Sequence, residues 1–116
     1  MKTVLTDKFE SFLRESFPCF KAAEEAIYDV SGVTIEDIRS AKRLTVIVYA
    51  RAIFWKLCRP YVSQCCYLRD YINKDHATCS RYENSYYDEH EYDDVFMTLS
   101  SEIEQLFKNK MQNGNI

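Results

Sequence analysis

Apolar residues recur at three-to-four spacing along most of this chain, and the pattern predicts helices. Phe9, Phe12, Leu13 and Phe17 follow a capping-box-like start at Asp7-Lys8-Phe9-Glu10, which predicts an amphipathic helix over 7–16 whose apolar face needs a partner. Pro18 suits the first turn of a second helix with Phe20, Ala23, Ile27 and Val30 inward, and Ser31-Gly32 stops it. Thr34-Ile35-Glu36-Asp37 offers a cap with acids at the positive end of a short helix through about Ser40. A basic loop, 39–43, follows.

The run Thr45-Val46-Ile47-Val48-Tyr49 has strand propensity. It continues without a turn residue through Arg51, Ile53, Phe54, Leu57 and Cys58, too long for a typical strand and at helical spacing, so it predicts a central buried helix ended near Pro60. Ser63 is expected to cap a helix over 63–71 with Tyr67, Leu68 and Tyr71 in the core. After the turn Ile72-Asn73-Lys74, Asp75 is the expected N-cap of a helix from His76 to about Tyr87, with Cys79, Tyr82 and Tyr86 inward. The acid- and tyrosine-rich run from Tyr86 to Asp94 reads as a solvated connection or a frayed helix end. A last helix starts near Asp93 or Asp94, with Val95, Phe96, Leu99, Ile103, Leu106 and Phe107 as its stripe, and 112–116 is expected to be a disordered tail.

Two glycines and two prolines in 116 residues are too few turn formers for a many-stranded sandwich or barrel. The expectation is an all-α fold: one domain over 1–116 with about six helices and a helix-turn-helix, in which 1–19 is a helical extension, 20–107 the body and 108–116 a tail. The five cysteines are odd in number and have no C-x-x-C spacing, which suggests free thiols in a reducing compartment. No stretch approaches the roughly 18 apolar residues of a membrane span, and the expected location is cytoplasmic. The net charge of −3 opposes nucleic-acid binding, but its distribution does not: nine Lys and Arg face only Asp70 and Asp75 between Arg39 and Arg81, a local +7 that leaves −10 for the rest.

Three segments together resemble a known family. Val30-Ser31-Gly32-Val33-Thr34-Ile35-Glu36-Asp37-Ile38 is similar to its F-G-I-S-V-E-D-L segment, and Lys42-Arg43 falls at its basic loop. Val48-Tyr49-Ala50-Arg51-Ala52-Ile53-Phe54-Trp55-Lys56-Leu57-Cys58-Arg59 is similar to A-R-P-R-Q-I-A-M-Y-L-A-R, and Lys74-Asp75-His76-Ala77-Thr78 to R-D-H-T-T. From about Phe20 to Phe107 the chain resembles the C-terminal DNA-binding domain of the bacterial replication initiator DnaA, a Trp-repressor-like helix-turn-helix domain. It departs from the family at Ala77, at Ala52, at Gln64-Cys65-Cys66 and at Ile72-Asn73, which leaves its target sequence open. A nucleotide-binding G-x-x-x-x-G-K-[ST] motif is absent, so no nucleotide is expected and the chain reads as a stand-alone domain of phage or mobile-element type.

The resemblance implies roles. Asp75, His76, Ala77 and Thr78 would reach base edges in the major groove, and Arg43 would enter the adjacent minor groove. Lys42, Arg51, Lys56, Arg59 and Lys74 would hold phosphates, and Tyr49 is either core or a stacking residue at the same surface. The expected function is sequence-specific binding of double-stranded DNA in replication initiation or its regulation. The alternative is a protein-interaction domain that keeps the fold without DNA binding and engages a replication protein. Cys65, Cys66, His76 and Cys79 do not match structural zinc spacings, and no triad, activated cysteine or paired-carboxylate pattern stands out, so neither metal nor cofactor nor enzymatic activity is expected.

Overall fold

The computed structural model describes residues 7–114, and among them the chain forms eight α-helices and no strand. The helices are α1 (Asp7–Ser16), α2 (Pro18–Ser31), α3 (Ile35–Arg39), α4 (Thr45–Cys58), α5 (Cys65–Ile72), α6 (His76–Asn84), α7 (Tyr86–Glu89) and α8 (Asp94–Gly114), with a 3-10 turn at Arg59–Tyr61 after α4. The all-α expectation holds. Against the overall expectation of about six, the pattern itself marks seven helical stretches, and these become eight because the expected 76–87 helix breaks at Ser85 (φ −136°, ψ −15°) and restarts as α7.

Local chemistry accounts for most boundaries. Pro18 opens α2, and Gly32 ends it in the left-handed region (φ 77°) while donating to Tyr28 O. Thr34 and Asp37 form a reciprocal capping box at α3, with bonds of 3.1 and 3.2 Å. Ser63 does not cap α5. The chain is still extended at Gln64 (φ −130°, ψ 129°), so the helix starts one residue beyond it without a side-chain cap. Asn73 closes α5 at φ 57°, where a short polar side chain tolerates the left-handed region, and Asp75 caps α6 by accepting from Thr78 N at 2.8 Å.

The core lies where α2 packs against α4 and α8. Ala22, Ala23 and Ala26 on α2, all buried, let the helices approach closely, and Phe20, Phe54 and Phe96 fill the space between them. Helix α1 joins this core through the fully buried Leu13, while Phe12 is left half exposed. Two further expectations are corrected. The Tyr86–Asp94 run is a solvated connection only in part: Asp88, Glu89, Glu91, Tyr92 and Asp94 are exposed, but the Tyr86 ring, as expected, is buried, stacks on His90 at 4.1 Å and meets Phe96 edge-on at 5.5 Å. Residues 108–114 continue α8 rather than forming a tail, with Met111 packed against the core, and 115–116 lie outside the described residues.

Asp93 precedes α8 and accepts from the Tyr49 hydroxyl and from Phe96 N (3.1 Å), which together hold its carboxyl below the usual aspartate range. A carboxyl lowered on folding adds stability above its ordinary value of 3.8 and loses it as pH falls further. Urea denaturation of Asp93→Asn should therefore show a deficit against the parent at neutral pH that closes in strong acid. A deficit independent of pH would contradict this assignment.

Candidate nucleic-acid interface

Helices α5 and α6 are joined by Asn73-Lys74-Asp75, and the tip of α6 presents Asp75, His76 and Ala77 to solvent, with Thr78 half-buried. Lys42 and Arg43 are exposed on the loop between α3 and α4. Arg43 lies near both Arg51 and Tyr82 of α6: burial is the main influence on each, lowering the Arg51 pKa and raising that of Tyr82, and the Arg43 charge adds only a minor lowering to both. The loop and the α6 tip are linked directly. The Lys74 ammonium donates to Arg39 O at 3.0 Å and to Ser40 O at 2.5 Å, so the residue before the α6 cap grips the residues that begin the loop.

Arg51 does something other than hold a phosphate. It is 5% exposed. Its Nε donates to Ile38 O (2.8 Å) and its Nη2 to Asp37 O (3.2 Å) and Ser40 O (2.6 Å). The last carbonyls of a helix lack intrahelical partners, and in five-residue α3 they are capped by cations from elsewhere in the fold: Arg51 from α4 and Lys74 from the α5–α6 turn, meeting at Ser40 O. The phosphate-binding expectation for Arg51 is therefore corrected, because the residue is buried and its Nε and Nη2 serve backbone carbonyls of the protein itself. Lys74 is likewise engaged with backbone, half-buried, and serves the loop.

The remaining expected phosphate ligands divide. Arg59 donates to Val62 O at 2.9 Å and pairs with Glu83 at 3.3 Å, which holds it at the C-terminal end of α4. Lys56 is exposed with its ammonium 3.8 Å from the centre of the Tyr87 ring, about three helical turns along α4 from the basic loop. Lys42 is exposed and pairs with Asp37 at 3.0 Å, an exchangeable surface contact. Tyr49 belongs to the interior reading, bonded to Asp93 and edge-on to Phe96 at 5.1 Å. The Lys74 clamp thus ties the α6 tip, with Asp75, His76, Ala77 and Thr78, to the start of the loop that carries Lys42 and Arg43, while Arg59 and Lys56 belong to the far end of α4.

Sequence reasoning also passed over Arg39, whose Nε donates to Tyr71 O at 2.7 Å and whose Nη1 pairs with Glu10 at 2.9 Å. The signal for Arg51 was present: Ile47, Phe54, Trp55 and Cys58, at helical spacing from it, are all buried. Cys58 and Cys79 are buried and burial raises both thiols, Cys79 to about 12, so neither is a thiolate at neutral pH. Among the described residues no three His, Cys, Asp or Glu gather in a way that could hold a metal ion, the Cys65, Cys66, His76 and Cys79 set included. Among the described residues no helix is long and apolar enough to cross a membrane. No family model, curated protein or solved structure matches the chain.

Proposed function

We propose that this chain is a sequence-specific duplex-DNA-binding module that reads a short site with the tip of α6, with Arg43 on the neighbouring loop in the adjacent minor groove. The observation that carries the reading is the Lys74 clamp, because it couples the two exposed segments that would enter neighbouring grooves. The resemblance of Lys74-Asp75-His76-Ala77-Thr78 and of the basic loop to the DnaA C-terminal domain supplies the base-reading roles. A role in replication initiation or its regulation is part of the same proposal. Arg51, Arg59 and Lys74 act as struts, which leaves Lys42 as the principal phosphate ligand beside the α6 tip.

Selection of bound sites from random duplexes, followed by titration at several salt concentrations, tests the proposal. His76→Ala should relax preference at one or two positions, a loss of about 1–3 kcal/mol against the selected site. Lys42→Ala should weaken all duplexes alike and reduce the log-log salt slope by about one. Absence of duplex binding at low salt would overturn the proposal. It would favour the second reading, a protein-interaction domain that keeps the fold without DNA binding, which the internal engagement of Arg51, Arg59 and Lys74 supports.

A further inference from the structure

The first turns of α8 carry an apolar face that the described residues leave partly uncovered. Val95 continues the Leu99 stripe, yet it is 69% exposed, and Val46 in the first turn of α4 is 38% exposed. Together with Val30 at the end of α2 they line an open groove of about 720 Å³, with Leu99 among its lining residues. Asp94 and Glu102 also line it, and neither has an ion-pair partner among the described residues. No lysine or arginine lines the groove, and residues 86–104 contain seven acids and no lysine or arginine at all.

We propose that this groove docks a basic amphipathic helix of a partner protein. Three helices form its walls and offer no sheet edge, which favours a helix laid into a groove over an added strand. From Asp94 to Glu102 the wall is about 12 Å long, enough for the roughly 10.5 Å between residues i and i+7 of an incoming helix. Its apolar residues at i, i+3 or i+4 and i+7 cover Val46, Val95 and Leu99, and its flanking Lys or Arg side chains reach Asp94 and Glu102. Charge selects this occupant. Phosphates of DNA and anionic lipid are repelled by the acids, and a second copy seated symmetrically on the same patch would set Asp94 and Glu102 against themselves. The groove lies on residues other than those of the α6 tip and the basic loop, and the proposal stands apart from the DNA-binding reading.

The test uses the full chain and a panel of labelled synthetic helices of about 14 residues, with leucines at i, i+3 or i+4 and i+7 and the other positions Lys or Arg. Two controls have the same composition scrambled to remove the stripe, and Glu in place of the Lys and Arg. Fluorescence anisotropy should give saturable binding of the basic amphipathic helices alone, with amide shifts centred on Val46, Val95 and Leu99. Val95→Ser, at an exposed helical position that leaves the fold intact by circular dichroism, should weaken binding about tenfold, as should Asp94→Asn combined with Glu102→Gln. Duplex-DNA binding should be unchanged in both variants, so loss of DNA binding and loss of helix docking are read separately. Equal binding of the scrambled control, shifts centred elsewhere, no binding by any member of the panel, or self-association through these residues in sedimentation would each overturn the proposal.

Discussion

Arg51→Ala is expected to destabilise the fold by about 3 kcal/mol, the scale of losing charge-assisted hydrogen bonds at a buried site. The three carbonyls it serves do not suffer equally. Asp37 O keeps the Ser40 hydroxyl at 2.6 Å and Ser40 O keeps Lys74, but Ile38 O loses its only side-chain donor. Arg51→Lys should recover part of the loss, since an ammonium lacks the planar fork that reaches several carbonyls at once. Urea denaturation measures both variants, and a fall in Tm on the order of 10 °C should accompany the Ala variant. For the folded fraction, the salt slope of duplex-DNA binding should stay that of the parent, because no phosphate contact has been removed. The opposite result, unchanged stability with weaker binding to every duplex and a shallower slope, would falsify the strut assignment and restore Arg51 as a phosphate ligand.

Tyr71→Ala is expected to cost more, roughly 3–5 kcal/mol, as for other large aromatic truncations in a core. Tyr71 lies in the last turn of α5 and is fully buried. Its ring stacks on Phe20 at 4.4 Å and Phe54 at 6.0 Å, and the Arg39 guanidinium lies 4.5 Å from its centre. Its hydroxyl donates to Glu24 and accepts from Arg14 Nε at 2.8 Å, while Arg14 also pairs with Glu24 at 2.5 Å. Burial pushes the Tyr71 hydroxyl up, and the Glu24 carboxylate pushes it further, so it stays protonated and available as a donor. Tyr71→Phe keeps the stack and removes only the polar centre, for an expected loss of about 1–2 kcal/mol. The gap between the two variants separates ring from hydroxyl. A cost below about 1.5 kcal/mol for Tyr71→Ala would mean that α5 is held chiefly elsewhere.

Much of this fold was legible in the residues because the signals are local. Gly32 must adopt the left-handed region, Pro18 suits a first turn, and the Thr34–Asp37 and Asp75–Thr78 caps depend on groups three residues apart. Helical spacing likewise carried 45–58 against its strand propensity. The candidate site was legible in part for the same reason: the Asp75 cap fixes where α6 starts and so which residues form its tip. What each positive charge faces does not follow from sequence. Arg51 and Lys74 reach carbonyls eleven to thirty-five residues away, so only packing of α3 against α4 and α5 makes them struts.

By itself, the sequence determined the helical class, most helix boundaries and the position of the α6 tip, since hydrogen-bond periodicity and capping act within a few residues. Tertiary structure alone decided that Arg51 is buried, that His90 packs against Tyr86 and Phe96, and that Val95 is left exposed. The physical reason is that an apolar stripe records a preference for burial, while the neighbouring helices decide which of its residues find a partner.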